Sequence, residues 1–329
     1  MTNTTTTTHT VAKETLPCVN IAVLELVWEA TQEVCLPEFV ESTFRGALGR
    51  ALRARACVTG ADSCDACPHI AGCGYGRVWE PQPDQNGSAR FQTPPRPYII
   101  TRLDGALDGR LGRGDRIRVQ LKLMGASKHL VHQWILAARD AGRLGLGRGR
   151  GVLELSEVTA QRRVGAPRVL YLNPHGFLDP EPPPLWRVEP QVRHRHKCTV
   201  RVALESPTAL TGMTAERFDP GTFTARLLDR LELLSIHHEH HRPVWDIQRR
   251  RAHSAQCRVI ESALTRARWQ RVSQRQGRRV PMEGVVGHAV VVGVEPELVA
   301  LWQTATDIHV GKKTSFGCGR VRLEVQENQ

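Results

Sequence analysis

Glycine and arginine recur twice in a spacing that suits phosphate binding. Residues 145–150 read GLGRGR and residues 317–322 read GCGRVR, so both fit the pattern G-x-G-R-x-R. Glycine lets a backbone approach a phosphate closely, and the guanidinium group binds phosphate through a planar fork of donors. We therefore expect both loops to bind a polyanion. The candidate contacts are Arg148, Arg150, Gly317, Gly319, Arg320 and Arg322, together with Lys312, Lys313 and His309. His309 could equally be a packed strand residue.

A second basic group lies in residues 237–281, which contain eleven arginines and few acidic residues. A run of charged residues usually forms a solvent-exposed face. Here the arginines have few acidic neighbours and repel one another, which favours neutralisation of their charge by RNA or DNA. The stretch from Trp245 to Gln274 has no glycine or proline and carries a thin apolar stripe, which predicts a helical finger. Its candidate contacts are Arg249, Arg250, Arg251, Arg258, Arg266, Arg268, Arg271 and Arg275.

Four cysteines form a cluster whose spacing suits a metal. They are Cys57, Cys64, Cys67 and Cys73. Two cysteines in a Cys-x-x-Cys spacing commonly bind one zinc ion in a tetrahedral site. Four thiolates would complete the coordination of the ion, so we predict a structural zinc. His69 could replace one ligand. An iron–sulfur cluster, a metal-free remnant and ordinary buried cysteines are the alternatives.

Length and charge indicate two domains and a nucleic-acid partner. The chain has 329 residues and a formal net charge of +12, and 39 of its 45 basic residues are arginine. Arginine stacks on bases and binds phosphate bidentately; a GC-rich genome would also raise its frequency but would not cluster it. The sequence contains no apolar run of about 18 residues, so it predicts no membrane-spanning segment. The polar start lacks the features of a signal peptide, so we expect a cytoplasmic protein.

Apolar periodicity predicts the same order of elements in both halves. In the first half we expect strands at 17–28, 94–102 and 115–123, helices at 41–56 and 128–143, and a closing strand after the first glycine loop. In the second half we expect strands at 198–204 and 321–325, a strand-pair element at 284–294, and helices at 219–236 and 297–304. Each half thus has the β-α-β-β-α-β order of a ferredoxin-like, or RNA-recognition-like, domain.

The predicted fold class is therefore α+β, with two tandem ferredoxin-like domains. We expect a disordered tail at 1–16 and a first domain at 17–160 with a cysteine-rich insertion at 57–93. A proline-rich connector at 161–195 would follow, and then a second domain at 196–329 whose arginine-rich helical finger occupies 237–281.

Several motifs together resemble a known family. They are FRGALGRALR at 44–53, the cysteine spacing, PRPY at 95–98, GLGRGRG at 145–151, EGVVG at 283–287 and HVGKKTSFGCGR at 309–320. In this order they resemble the CRISPR repeat-RNA-processing endoribonucleases of the RAMP superfamily. The arginine-rich insertion looks more like the divergent processing protein of type IV systems, which has an arginine-rich helical finger.

The resemblance implies binding of the repeat hairpin of precursor CRISPR RNA and cleavage at its 3′ base. It also implies that the mature RNA is retained with other effector-complex subunits. Without a catalytic metal, a 2′-hydroxyl would attack the adjacent phosphate, and protein groups must align the atoms, move two protons and stabilise the added charge.

The general acid and base are left open by the sequence. In this family a histidine often lies near the first helix, but residues 38–53 contain none. The alternative candidates are His237, His238, His240 and His241 beside Arg242, with Arg242 and Arg45 as stabilisers of the phosphorane. The histidine run could instead be a solvated cap of a helix C-terminus. Ser42 and Ser273 are weaker candidates.

Two other functions stay open at this stage. One is a RAMP subunit that holds guide RNA without cutting it, which the missing first-helix histidine favours. The other is a zinc-bearing DNA-binding protein, which would prefer duplex DNA to repeat RNA.

Overall fold

The computed structural model describes residues 14–61, 63–65, 67–83, 94–104, 109–273 and 278–328. The elements of the first half are β1 (Val19–Ala30), β2 (Val34–Cys35), α1 (Val40–Ala56), α2 (Gly74–Trp79), β3 (Tyr98–Arg102), β4 (Arg110–Leu111), β5 (Arg116–Met124), α3 (Val131–Arg143) and β6 (Leu153–Ala160). The antiparallel sheet has the order β3-β5-β1-β6, which is the ferredoxin-like topology. The first-half elements thus lie close to where the sequence predicts them.

The proline-rich stretch adds strands to the first sheet. It contains β7 (Arg168–Leu172), β8 (Phe177–Leu178) and β9 (Trp186–Val188). β7 pairs with β6, β8 pairs with β7, and β9 pairs with β1. Residues 161–195 were expected to be a connector, but much of this stretch is part of the first domain's sheet. Proline is tolerated here because these strands are short and lie at the margin of the sheet.

The second half repeats the topology. Its elements are β10 (Cys198–Thr208), α4 (Pro220–Glu239), α5 (Ile247–Gln256), β11 (Arg258–Ser273), β12 (Arg278–Val294), α6 (Pro296–Gln303), α7 (Ala305–Ile308) and β13 (Val321–Glu327). The sheet order β11-β12-β10-β13 matches that of the first domain. Asp219 caps α4 by accepting hydrogen bonds from the backbone of Gly221 and Thr222, and Pro220 occupies the first turn, as expected.

The predicted helical finger is wrong over most of its length. Only α5 is helical; Cys257 is extended and β11 begins at Arg258. β11 and β12 form a long antiparallel hairpin whose register pairs run from Arg258 with Val292 to Ser273 with Arg278. The resemblance to type IV systems was based on a helical finger. Because most of this segment is a strand, the structure does not support that part of the resemblance.

The two domains pack against each other through β1, whose side chains contribute to both hydrophobic cores. On β1, Ala22 and Leu24 face the core of the first domain, whereas Val19, Ile21 and Val23 join the core of the second. A strand buried on both faces reads as a continuous apolar run. Among the described residues, no helix is both long and apolar enough to cross a membrane.

Interdomain hydrogen bonds fix the relative position of the two domains. The buried ammonium group of Lys122 donates to the backbone oxygens of Thr306 (3.0 Å) and Asp307 (2.9 Å). Burial lowers the pKa of Lys122 to about 8. Lys128 forms a shielded ion pair with Glu239 at 2.6 Å. These contacts fix the junction between the two domains, which we call the interdomain cleft.

Candidate nucleic-acid interface

The second glycine loop, residues 309–320, lies against the first domain. Gly317 has φ +76°, and a Cβ there would come within 2.6 Å of the Ile100 carbonyl oxygen on β3. Gly319 has φ +75°, and a Cβ there would collide with the carbonyl oxygen of Val310. Both positions therefore require glycine. The loop places Ser315 and Phe316 at the interdomain cleft.

His309 holds this loop rather than facing a ligand. Its ring is 1% exposed, and Nδ1 lies 3.1 Å from the backbone oxygen of Cys318. Burial, together with the positive charge of Lys122, holds the pKa of His309 well below its usual value, so the ring is neutral. Of the two interpretations of His309, the buried ring favours the packed one, and its contact with RNA stays a prediction.

Two arginines meet at the Phe316 ring. The guanidinium carbon of Arg45, on α1, lies 4.3 Å from the ring centroid, and that of Arg271, on β11, lies 5.1 Å from it. Arg45 also lies 5.0 Å from the ring of Trp79. The aromatic rings attract both cations and hold them in place. We call Arg45, Arg271 and Phe316 the arginine–phenylalanine cluster.

Positive charge in this cluster is not neutralised by the protein. Within the described part of the chain, neither Arg45 nor Arg271 forms an ion pair, and the Nε atom of each is buried without a hydrogen-bond partner. Burial, and then the charges of Arg45 and Arg96, lower the pKa of Arg271. Buried donors without partners and repelling cations are costly, so the arrangement suits an incoming anion.

Groups able to carry a proton lie beside the cluster. Glu41 is one helical turn before Arg45, and a Cβ on Gly317 would lie 3.1 Å from the Glu41 Cγ atom. Burial raises the pKa of Glu41. Burial also raises the pKa of Tyr98, whose ring lies 5.9 Å from the Arg45 guanidinium carbon. The sequence analysis did not select Glu41, Tyr98 or Phe316, although PRPY and TSFG in the family pattern contain two of them.

Two of the predicted histidines are held by backbone carbonyls. The Nε2 atom of His238 lies 2.7 Å from the Pro95 oxygen, and that of His241 lies 3.0 Å from the Leu16 oxygen. Burial lowers the pKa of His238 to about 4, so its neutral ring donates to Pro95. These contacts give both rings a structural role. His240 is exposed at the left-handed C-cap of α4, and Arg242 is exposed two residues further on.

The arginines of residues 237–281 divide into structural and exposed groups. Arg250 is 4% exposed and lies 3.3 Å from Glu14, while Arg249 pairs with Glu297 at 2.8 Å. Arg250 is therefore not free to contact RNA, and residues 14–16 of the predicted tail lie against this region. Arg258, Arg266 and Arg268 are exposed, and Arg251 is half-buried. Arg275 lies outside the described residues.

The glycine loops differ in how much free charge they present. Arg148 and Arg150 of the first loop are exposed, and the Arg148 backbone donates to the Cys35 oxygen. At the end of the second loop, Arg320 pairs with Glu205 at 2.9 Å, and Arg322 on β13 pairs with the same carboxylate at 2.8 Å. Lys312 and Lys313 are exposed. The first loop and the two lysines are therefore better placed for phosphate than the paired arginines.

The cysteine cluster lines one cavity of about 1190 Å³ but does not form a ligand set. Cys57, Cys64, Cys67 and Cys73 all border this cavity, and His69 does as well. Across the described ranges, no three His, Cys, Asp or Glu side chains lie close enough together to hold one ion. The structure gives no support to the zinc site.

Two protein-family models match the chain, one in each half. Residues 16–183, slightly more than half of the chain, match a family model described as an N-terminal domain. Residues 202–321 match the family CRISPR-associated endoribonuclease Cas6. No curated protein matches the sequence. Residues 202–321 therefore form a Cas6 CRISPR-associated endoribonuclease domain, and the chain has a two-domain ferredoxin-like fold.

Several solved structures match the chain at low sequence identity. A partial Cas6-RT-Cas1–Cas2 complex matches with a TM-score of 0.51 and 11% identity, covering 94% of this chain and 47% of that chain. A Cas6 product complex matches with a TM-score of 0.49 and 17% identity, covering 94% and 100%. Thermus thermophilus Cas6 matches with a TM-score of 0.49 and 14% identity, covering 93% and 99%.

Proposed function

We propose that this chain binds the repeat hairpin of precursor CRISPR RNA and cuts it without a metal ion, by attack of a 2′-hydroxyl on the adjacent phosphate. The observation that carries this proposal is the arginine–phenylalanine cluster in the interdomain cleft. Arg45 and Arg271 converge there from different domains on one aromatic ring, and the described residues leave both without a carboxylate partner. A phosphate diester fits this unneutralised pair.

The arginine pair has two roles in this mechanism. Before the reaction, its donors bind the two non-bridging oxygens and hold the phosphate in line with the attacking 2′-oxygen. As the bond forms, negative charge grows on those oxygens, and fixed donors in a water-poor cleft stabilise it. The products are a 2′,3′-cyclic phosphate and a 5′-hydroxyl end.

Proton transfer falls to groups beside the pair. Burial raises the pKa of the Glu41 carboxyl, a shift that favours a role in proton transfer. Tyr98 is fully buried beside Arg45, with its ring stacked on Trp79, so it supports the pair from within the first core. His237 and His240 remain predicted candidates, whereas His238 and His241 already have backbone partners.

The same surface would retain the product. Exposed cations of the hairpin and the first glycine loop continue the positive charge outside the cleft, so the mature RNA stays bound after cleavage. We propose that the retained RNA brings this protein into a cytoplasmic effector complex with other CRISPR subunits.

A non-catalytic guide-RNA subunit is the second candidate. It is favoured by one observation: two of the four predicted histidines are engaged by backbone carbonyls. Such a subunit would use the same cleft to bind a phosphate without cutting beside it. No contact in the structure favours duplex DNA as the ligand.

Cleavage of the host's own repeat RNA in excess EDTA tests the proposal. We expect one cut, ends carrying a cyclic phosphate and a 5′-hydroxyl, and full protection by a single 2′-deoxy nucleotide at the cut. Tight binding of both RNAs without cleavage of either would reject the enzyme and support the guide-RNA subunit. Cleavage that requires Mg²⁺ would reject the mechanism.

A further inference from the structure

A second concave site lies outside the cleft, where the hairpin meets the loop before α4. It is a groove of about 410 Å³ between residues 208–215, the β11–β12 hairpin and the second glycine loop. Its size falls in the range of small-molecule sites, roughly 300–1,000 Å³. The arginine–phenylalanine cluster contributes none of the residues that line it.

The groove has an apolar wall and a cationic rim. Leu210 and Val285 are buried, and Met213 is half-buried against the second core. Arg266 and Lys312 stand exposed at the edge, and neither forms an ion pair with any described residue. An apolar wall beside two free cations matches a ligand that has one flat apolar part and one anionic part.

Polar groups also line the groove. Thr211 and Thr214 supply hydroxyl groups, and Glu283 is the one acidic residue among the described lining. A carboxylate repels phosphate but accepts hydrogen bonds from amino or hydroxyl groups. The lining therefore offers partners both for an anionic part of a ligand, at Arg266 and Lys312, and for its hydrogen-bond donors, at Glu283.

Close backbone contacts form the groove in advance. A Cβ on Gly284 would lie 2.7 Å from the Thr208 nitrogen, so the hairpin backbone packs directly on the loop. Gly311 has φ +85° and would place a Cβ 2.6 Å from the Ala209 oxygen, which also accepts a hydrogen bond from the Lys312 backbone at 3.1 Å. These contacts hold the rim lysine in position before any ligand arrives.

The groove and the cleft are connected through two shared elements. Lys312 and Phe316 belong to the same loop, and Arg266 and Arg271 belong to the same strand. Because side chains alternate along a strand, these two arginines face opposite sides of the hairpin. Their separation along β11 is about 17 Å at roughly 3.3 Å per residue, a span that a few nucleotides can cross.

We propose that this groove binds one unpaired nucleotide of the RNA whose phosphate occupies the cleft, with its phosphate on Lys312 and Arg266 and its base against Leu210 and Met213. This inference rests on the proposed RNA function and adds a site that reads an unpaired base. The thioether of Met213 makes favourable contacts with aromatic rings. Stacking of a base increases the affinity for RNA whatever the identity of that base.

An abasic scan of the repeat RNA tests the groove. Each RNA carries one abasic nucleotide and a 2′-deoxy nucleotide at the mapped cut, so that only binding is measured. We expect one unpaired position where base removal weakens binding to the wild-type protein by roughly tenfold. Met213→Ala should weaken binding of the intact RNA by a similar factor. The affinity of this variant should then not fall further when the base at that position is removed.

Two further variants separate the base from the phosphate. Lys312→Ala should flatten the dependence of log affinity on log salt by about one unit while keeping the base preference. Arg217→Ala removes an exposed neighbouring arginine that does not line the groove, and it should keep both the tenfold base effect and its position.

The outcomes distinguish the groove from the proposed function. If the wild-type protein cuts repeat RNA but no abasic position is coupled to Met213 and Lys312→Ala keeps the wild-type salt slope, the groove proposal falls and the endoribonuclease stands. If the wild-type protein neither binds nor cuts repeat RNA, both proposals fall together.

Discussion

Phe316 is the residue whose role can be tested with least disturbance to the fold. Its ring lies within 4.3 Å of the Arg45 guanidinium carbon and 5.1 Å of that of Arg271. Phe316→Leu keeps an apolar side chain and removes the ring, so the two cations lose an attraction of about 0.5–2 kcal/mol each. We expect the single-turnover cleavage rate to fall about tenfold with little change in the melting temperature.

A leucine substitution of an exposed ring is the matched control. Phe177 on β8 is 45% exposed and distant in sequence from the cluster, so Phe177→Leu should cut at the wild-type rate. Equal rates for Phe316→Leu and Phe177→Leu would show that the ring does not organise the arginines.

His238 predicts a pH dependence of stability. Its pKa is about 4 in the fold and about 6.5 when unfolded, so the unfolded chain binds the extra proton between these values. The stability from its neutral ring is complete above pH 6.5 and is lost as the pH falls toward 4. We expect at most about 3 kcal/mol, measured as the difference between wild type and His238→Gln in urea unfolding from pH 7.5 to 4.5. Parallel curves for the two proteins would contradict this role.

Some site residues could be selected from the sequence and others could not. Arg45 was selected because its chemistry suits a phosphorane and it lies on a helix that periodicity identifies. Arg271 was selected only as one of many arginines, since the predicted helix assigned it no particular face. Its position beside Phe316 depends on a strand and on packing between domains, neither of which local periodicity reports.

At the level of elements, the hairpin shows why the helical prediction failed. β11 has a basic, glycine-free sequence with scattered apolar residues, which suits either a helix or an alternating strand. The strand is selected by its partner, β12, through register pairs that extend to Ser273 and Arg278. Such pairing is a tertiary effect that overrides local propensity.

The strand assignment predicts which arginines contribute to RNA affinity. Arg268 is exposed on β11, so Arg268→Ala should reduce the salt slope of repeat-RNA binding by about one unit. Arg250→Ala removes a buried cation that pairs with Glu14, so it should lower thermal stability and leave the slope unchanged. A smaller slope for Arg250→Ala than for Arg268→Ala would contradict the assignment.

The cysteine-rich insertion remains a separate prediction about metal. The four cysteines border one cavity, although the described side chains are not gathered around one point. If the spacing does encode a zinc site, purified protein will contain one zinc ion per chain by elemental analysis. Cys64→Ser with Cys67→Ser should then lose it, and Cys35→Ser should keep it. Wild-type protein without zinc would end the prediction.

For the whole molecule, the sequence predicted the two repeated domains but not how they pack against each other. Periodicity indicated two β-α-β-β-α-β halves because each strand and helix buries one face of its own domain. The apolar run of β1 did not reveal that Val19, Ile21 and Val23 serve the second domain's core. Nor did the prolines at 165–192 predict strands that extend the first sheet.

The central claim is that the cleft between the domains stabilises the charge of a reacting phosphate through Arg45 and Arg271. The most direct measurement is single-turnover cleavage of repeat RNA in EDTA by Arg45→Ala, Arg271→Ala and the double variant. Arg55→Ala, on the same helix but paired with Asp140 at 2.6 Å, is the control. Each cleft variant should lose about 10²–10³ in rate while binding 2′-deoxy RNA within tenfold of wild type, and the control should cut normally. Cleft variants that cut within threefold of wild type would show that the reaction takes place elsewhere.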